Sequence, residues 1–146
     1  MSPTQPLHAT TLARHGSGGW RGVLIQGPSG IGKSDLGLRL IAQGWRLVAD
    51  DWTTVWASQD QLYATAPERI SGLMEIRGLG ICSHPLSQPV RTLCRLSLAV
   101  TCTHEVVERL PAAEEWQFQG VVIPHLTLDP RPASASLLLD AAFAAL

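Results

Sequence analysis

The strongest chemical signal in the chain is a run of eight residues. Gly27-Pro28-Ser29-Gly30-Ile31-Gly32-Lys33-Ser34 satisfies GxxxxGK[ST] at every specified position. Glycines at this spacing let the backbone curl until successive N–H groups point inward at phosphate oxygens. A helix opening at the end of the curl adds the positive end of its dipole. In such a cradle the Lys33 ammonium reaches the terminal phosphates and the Ser34 hydroxyl is a ligand for Mg²⁺. The chemistry implied is the binding of a nucleotide polyphosphate such as ATP together with its magnesium.

A second signal follows the first. Arg46-Leu47-Val48-Ala49-Asp50-Asp51 is an apolar run with two acids at its carboxyl end, the place where open α/β sheets bind ligands. One carboxylate of such a pair can hold Mg²⁺ through water. The other is available to accept the proton of an attacking hydroxyl, which is a poor nucleophile until that proton is taken.

The surrounding pattern supplies the elements that must position these groups. Trp20–Gln26 reads as a short strand entering the glycine loop. Leu36, Leu38, Leu40 and Ile41 mark a helix leaving it, which Gly44 stops as the residue after the cap. His8–Ala13 reads as a strand, Arg14–Gly19 as a hairpin loop, and residues 1–7 as a loose N-terminal arm. Thr53–Ala57 and Leu62–Thr65 form a hairpin around the turn Ser58–Gln61. Ser71–Gly80, with three glycines, reads as a shaped and mobile loop, the least regular part of the chain. Leu93–Thr101 and Val121–Leu128 are further strands, and Ser136–Leu146 is an apolar terminal helix.

Composition narrows the function classes. A chain of 146 residues with 45% hydrophobic content is sized for one domain, residues 1–146. With 11 Lys+Arg against 12 Asp+Glu there is no strong overall field to draw it to nucleic acid or an anionic membrane. No apolar run reaches membrane-spanning length and no signal-peptide pattern opens the sequence, so a cytoplasmic location is expected. The cysteines, Cys82, Cys94 and Cys102, form no CxxC pair, and the histidines lack HxxxH spacing. Neither a disulfide framework nor a zinc site is therefore expected.

The string Gly22–Asp51, followed by Met74-Glu75-Ile76-Arg77-Gly78-Leu79-Gly80-Ile81, resembles the catalytic domain of bacterial HPr kinase/phosphorylase. The second motif makes the likeness specific, because a phosphate loop alone suits many unrelated families. The resemblance runs from His8 to Arg131 and is similar to the short, catalytic-domain-only form of alphaproteobacteria. It implies an α/β fold with a P-loop NTPase-like core, additional β-strands and a C-terminal helix.

Further expectations follow from the resemblance. Asp51 would be the acid/base group. Ser34 and Glu75 would be Mg²⁺ ligands, with Asp50 counted beside them in the metal set. Lys33 would contact phosphate, His8 would pack beside the loop, and Arg109 would steady the transferring phosphate. The implied reaction is ATP- and Mg²⁺-dependent phosphorylation of a serine on an HPr-like phosphocarrier protein, by a homo-oligomer that the family suggests is a hexamer. A nucleotide-sensing module without catalysis, and a kinase of a small hydroxyl-bearing metabolite, are the alternatives.

One segment departs from the family pattern. Where a Pro-Val-Arg-Pro-Gly-Arg-type stretch associated with phosphorolysis is usual, this chain has Asp129-Pro130-Arg131-Pro132-Ala133-Ser134. One arginine survives, the other is replaced, and an acid has been added. Weakened or lost phosphorylase activity is the expectation.

Overall fold

A computed structural model describes residues 2–146. Met1 of the expected N-terminal arm lies outside the described residues. Strand β1 (Gln5–Gly16) and strand β2 (Gly19–Gln26) form an antiparallel hairpin paired to its end, Gly16 opposite Gly19. Two departures from the sequence reading arise here. The strands run into the expected Arg14–Gly19 loop and leave only Ser17-Gly18 as the turn, because His15 packs edge-on against Trp20 across the hairpin, ring centroids 5.2 Å apart. Gln5–Leu7, expected to be loose, extend β1 along strand β4 (Trp52–Ser58), whose edge offers backbone partners.

Beyond the glycine loop, helix α1 (Lys33–Ala42) ends as expected, with Gln43 as cap and Gly44 at φ +101. Strand β3 (Arg46–Ala49) returns antiparallel to β1. After β4 comes strand β5 (Gln61–Thr65), joined to it by a turn whose central residues Gln59 and Asp60 both have positive φ. Strand β6 (Leu73–Ile76) and strand β7 (Gly80–Ser83) make a separate two-stranded hairpin where sequence suggested an irregular loop. Two of the three glycines that suggest a loop serve its turn, Gly78 at φ +92 and Gly80 at +107, while Gly72 precedes β6.

Strand β8 (Cys94–Cys102) runs parallel to β2 and antiparallel to β5. Strand β9 (Glu114–Phe118) was not legible in the sequence because two glutamates open it. It is recruited as the antiparallel neighbour of strand β10 (Val121–Leu128), which itself runs parallel to β8. Helix α2 (Ala135–Ala144) closes the chain.

The fold is α/β with a C-terminal helix, as expected, and the pairings β1–β4–β5–β8–β2–β1 close on themselves, so that the sheet curls into a ring. Alternation along the strands sends Leu24, Ala13, Val55 and Leu62 to one buried cluster and Leu12, Val23 and Ile25 to the other, while a register shift in the β2–β8 ladder places Leu96 in the first and Leu98 in the second. The second cluster is covered by α1 through Leu36, Leu40 and Ile41, and by α2 through Leu139 and Phe143. Phe143 sits edge-on to the buried Trp45, 4.8 Å between centroids. Gly37 keeps the helix–sheet contact close, since a Cβ there would lie a tight 3.2–3.3 Å from Met74 Cε, Leu12 Cδ2 and Thr10 Cγ2. Among the described residues no helix is long and apolar enough to cross a membrane. Cys94 and Cys102 are buried and unbridged, Cys82 is half-buried on β7, and Trp52 is 45% exposed, unlike the core tryptophan Trp45.

Candidate functional site

A strand, a tight loop and a helix bring the motif residues to one cleft of about 600 Å³. Ser29, Gly30, Ile31, Gly32, Lys33 and Ser34 line one side of it, while Gly27 and Pro28 form the base of the loop. Gly27, Gly30 and Gly32 have φ of +152, +81 and +117. Gly27 is also sterically required, because a Cβ there would lie 3.0 Å from Ile31 Cγ2 and 3.2 Å from Cys102 Cβ. Gly32 caps α1, whose first intrahelical bond runs from Leu36 N–H to Gly32 C=O. The N–H groups of Lys33, Ser34 and Asp35 therefore have no partner within the helix. The result is an electropositive backbone end facing the cleft.

Lys33 is 6% exposed, and its ammonium donates to the carbonyls of Gly27 at 2.7 Å and Pro28 at 3.0 Å. Burial pushes the Lys33 ammonium below the usual lysine range, opposed by nearby Asp51, Cys102 and Asp50. The lysine thus holds the loop closed on itself and carries its charge into a partly desolvated place.

The opposite side of the cleft is built by a break in the sheet. β1 pairs with β3 at Thr11–Ala13 and with β4 at Gln5–His8, and between these ladders Asp50 and Asp51 bridge from one strand to the next. Asp51 adopts φ +68, and Trp52 N–H donates to Asp50 C=O at 2.7 Å, a tight local bend. The bend sends the two side chains to different surroundings. Asp50, 5% exposed, accepts from Thr10 Oγ1 at 3.0 Å, Ser34 Oγ at 2.7 Å and Glu75 N–H at 3.2 Å. Asp51, whose side chain is 60% exposed, accepts from His8 Nε2 at 2.7 Å. The His8 ring in turn leans on Trp52, 5.2 Å between centroids.

The β6–β7 hairpin supplies the third side. Glu75, Ile76 and Arg77 line the cleft, and the Glu75 amide ties the hairpin to Asp50. The fourth side is the segment after β10, through Pro130 and Arg131. Arg109 is not among the cleft-lining residues and sits exposed in the loop between β8 and β9. His8 reaches the site only through Asp51. Nothing in the sequence distinguishes Thr10 from Thr11 beside it. Its role as a donor to Asp50 depends on a contact forty residues away.

Ser34 Oγ and the Asp50 carboxylate are hard oxygen donors side by side in the cleft, and Glu75 is among the residues that line it. Adjacent ligands of an octahedral Mg²⁺ lie about 2.9 Å apart when each metal–oxygen bond is about 2.1 Å. The 2.7 Å separation of Ser34 Oγ and Asp50 Oδ1 suits that requirement. Among the described residues no set of three His, Cys, Asp or Glu side chains is gathered for a metal by itself. This donor set therefore fits an ion that keeps water and substrate oxygens among its ligands better than it fits a closed protein cage.

The fold is that of an HPr kinase catalytic domain. Its likeness to the solved structure titled "Structure of the Hpr(Ser) kinase/phosphatase from Coxiella burnetii" has a TM-score of 0.81 at 26% identity, covering 97% of this chain and 95% of that one. The chain belongs to the HPr Serine kinase C-terminal domain family, whose model matches residues 1–145. Curated relatives named HPr kinase/phosphorylase include that of Halalkalibacterium halodurans, 37% identical over 141 residues, or 90% of this chain and 44% of the relative. That of Geobacillus kaustophilus is 38% identical over the same coverage. A Streptococcus pneumoniae relative is 39% identical over 131 residues, covering 83% of this chain and 42% of its own. The chain thus spans less than half the length of these relatives.

Proposed function

We propose that the chain is an ATP- and Mg²⁺-dependent serine kinase that phosphorylates an HPr-like phosphocarrier protein in the cytoplasm. One observation carries the reading: an exposed carboxylate, Asp51, shares a single cleft with a glycine loop and a buried lysine. The loop amides and Lys33 would bind the polyphosphate tail. Ser34, Asp50 and Glu75 would hold Mg²⁺, which when bound supplies positive charge to the phosphate oxygens.

His8 donates to Oδ1 of Asp51, which leaves Oδ2 free for the acceptor hydroxyl. In the kinase direction the serine oxygen bonds to the γ-phosphorus as the bond to ADP breaks, and the hydroxyl proton passes to Asp51. In phosphorolysis an oxygen of inorganic phosphate bonds to the phosphoserine phosphorus. The bond to serine breaks, pyrophosphate leaves, and Asp51 returns a proton to the serine oxygen. This reverse step is proposed to be weak, because Arg131 is engaged by Asp129. Arg77 and Arg131 line the cleft and Arg109 does not, so the mechanism is written without Arg109.

A homo-oligomer is part of the proposal. Leu137 and Leu138 are 61% and 48% exposed on α2, the helix whose Leu139 and Phe143 cap the core. Light scattering of the purified chain reads the assembly directly. The activity is tested with labelled ATP, Mg²⁺ and purified HPr, scored for phosphoserine. Label on the carrier's serine is expected; label on free serine or another metabolite instead would reassign the acceptor, and no transfer to any acceptor would reject the kinase.

A further inference from the structure

Four carboxylates, those of Asp35, Asp50, Asp51 and Glu75, line the cleft against three cations, Lys33, Arg77 and Arg131. Of these cations, Lys33 is turned onto loop carbonyls, and Arg131 stands at the lip. Arg131 does not stand free. Its Nε donates to both oxygens of Asp129 at 3.0 and 3.3 Å, a terminal nitrogen donates to Oδ2 at 2.9 Å, and its backbone N–H donates to Oδ1 at 3.0 Å. This is a forked pair reinforced by a turn, a geometry that holds a guanidinium in place.

The pair is also strapped to the loop. The same arginine donates to the His104 carbonyl at 3.0 Å, and the His104 ring donates to the Ile31 carbonyl at 3.0 Å. Pro130 presses on Gly32, 3.3 Å from where a Cβ would stand. Arg39 of α1 donates to the carbonyls of Pro130 and Pro132. The arginine is therefore fixed at the edge of the phosphate loop, and a carboxylate faces it there.

We propose that Asp129 is a specificity-determining residue. By neutralising Arg131 at the lip of the cleft, it keeps a free phosphate anion from binding as a second substrate beside the loop. This deepens the kinase reading and rests on it. An anion approaching Arg131 must displace a carboxylate already bound through two nitrogens, and it meets that carboxylate's charge as it arrives. The contacts with Arg131 hold the Asp129 carboxyl well below its usual range, at about 2, so the pairing persists through neutral pH.

The test is calorimetric titration of the full chain with inorganic phosphate. Asp129→Asn keeps the side chain's shape and can still accept the Arg131 amide proton, but it removes the charge. It is expected to bind phosphate about five- to tenfold more tightly than the native chain, from loss of one screened ion pair. Adding Arg131→Ala should return the affinity to native, and Asp129→Glu should stay within about twofold of native. No gain in Asp129→Asn, or a gain that survives Arg131→Ala, overturns the proposal. Should Asp129→Asn fail to fold, Asp129→Ser takes its place: it also removes the charge that engages Arg131, a gain in phosphate affinity of the same order is expected, and no gain overturns the proposal. A separate ATP titration of the native chain reads the kinase proposal. Failure there ends that reading without touching the phosphate comparison.

Discussion

Asp50 and Asp51 are neighbours of identical chemistry, yet they occupy opposite kinds of environment. Asp50 is 5% exposed and accepts three hydrogen bonds from three different elements: β1, α1 and β6. Asp51 stands in solvent with a single histidine partner, on a residue forced to positive φ. Three donors compensate the burial of Asp50's charge, which makes it a structural tie as well as a candidate ligand. Asp51 has the free lone pairs and the access that proton transfer to a bulky acceptor requires. A kink one residue long thus separates a buried, tied carboxylate from an exposed one.

The largest effect that would sharpen this contrast is expected at Asp51. Asp51→Asn should lower turnover by about 10²–10⁴-fold, the usual weight of a general base, while ATP affinity and melting temperature stay near native. Steady-state kinetics beside calorimetry would reveal it, and near-normal turnover would erase the distinction between the two acids.

Next comes the loop facing both acids. Lys33→Ala should weaken ATP binding by roughly a hundredfold, consistent with losing charge-assisted hydrogen bonds in a partly desolvated site. Because Lys33 is buried against its own solvation, the same change should cost little folding stability. A chain that melts far below native would show the lysine to be structural.

Asp50→Ala tests the other side of the pair. It leaves two hydroxyls and an amide without their common acceptor, with an expected loss of about 3 kcal/mol of stability. For a domain of this size that is a fall of roughly 10 °C in melting temperature. Equal melting points for Asp50→Ala and Asp51→Asn would break the comparison outright. The smallest effect belongs to His8. The pair His8–Asp51 is exposed, so His8→Ala should change stability by under about 0.5 kcal/mol and slow turnover only a few-fold.

How much of this was legible in the sequence differs element by element. The glycine loop, helix α1 with its stop at Gly44, and the β4–β5 hairpin were readable because each depends on backbone geometry within a few residues. From sequence the β6–β7 hairpin reads as a loop. Glycines mark turns and irregular segments alike, and the deciding fact was that Met74 packs into the core under Gly37. Strand β9 was hidden by Glu114 and Glu115, whose pairing partners lie on β10. Gln5–Leu7 are ordered by β4, which no local pattern announces. The cleft is lined by loop residues from Ser29 to Ser34, both aspartates, Glu75 and Arg131, while Arg109 lies outside its lining.

The order of residues alone determined a loop of glycines able to adopt positive φ, a lysine and a serine at its end, and two acids closing an apolar run. These depend on covalent spacing and steric freedom, which act over a handful of positions. Only the tertiary structure decided which acid is buried and which is free, whether the sheet closes on itself, and which carboxylate faces Arg131. Burial and hydrogen bonding are set by residues far apart in the chain, as Thr10 is from Asp50, and their pairing exists only once the chain has folded.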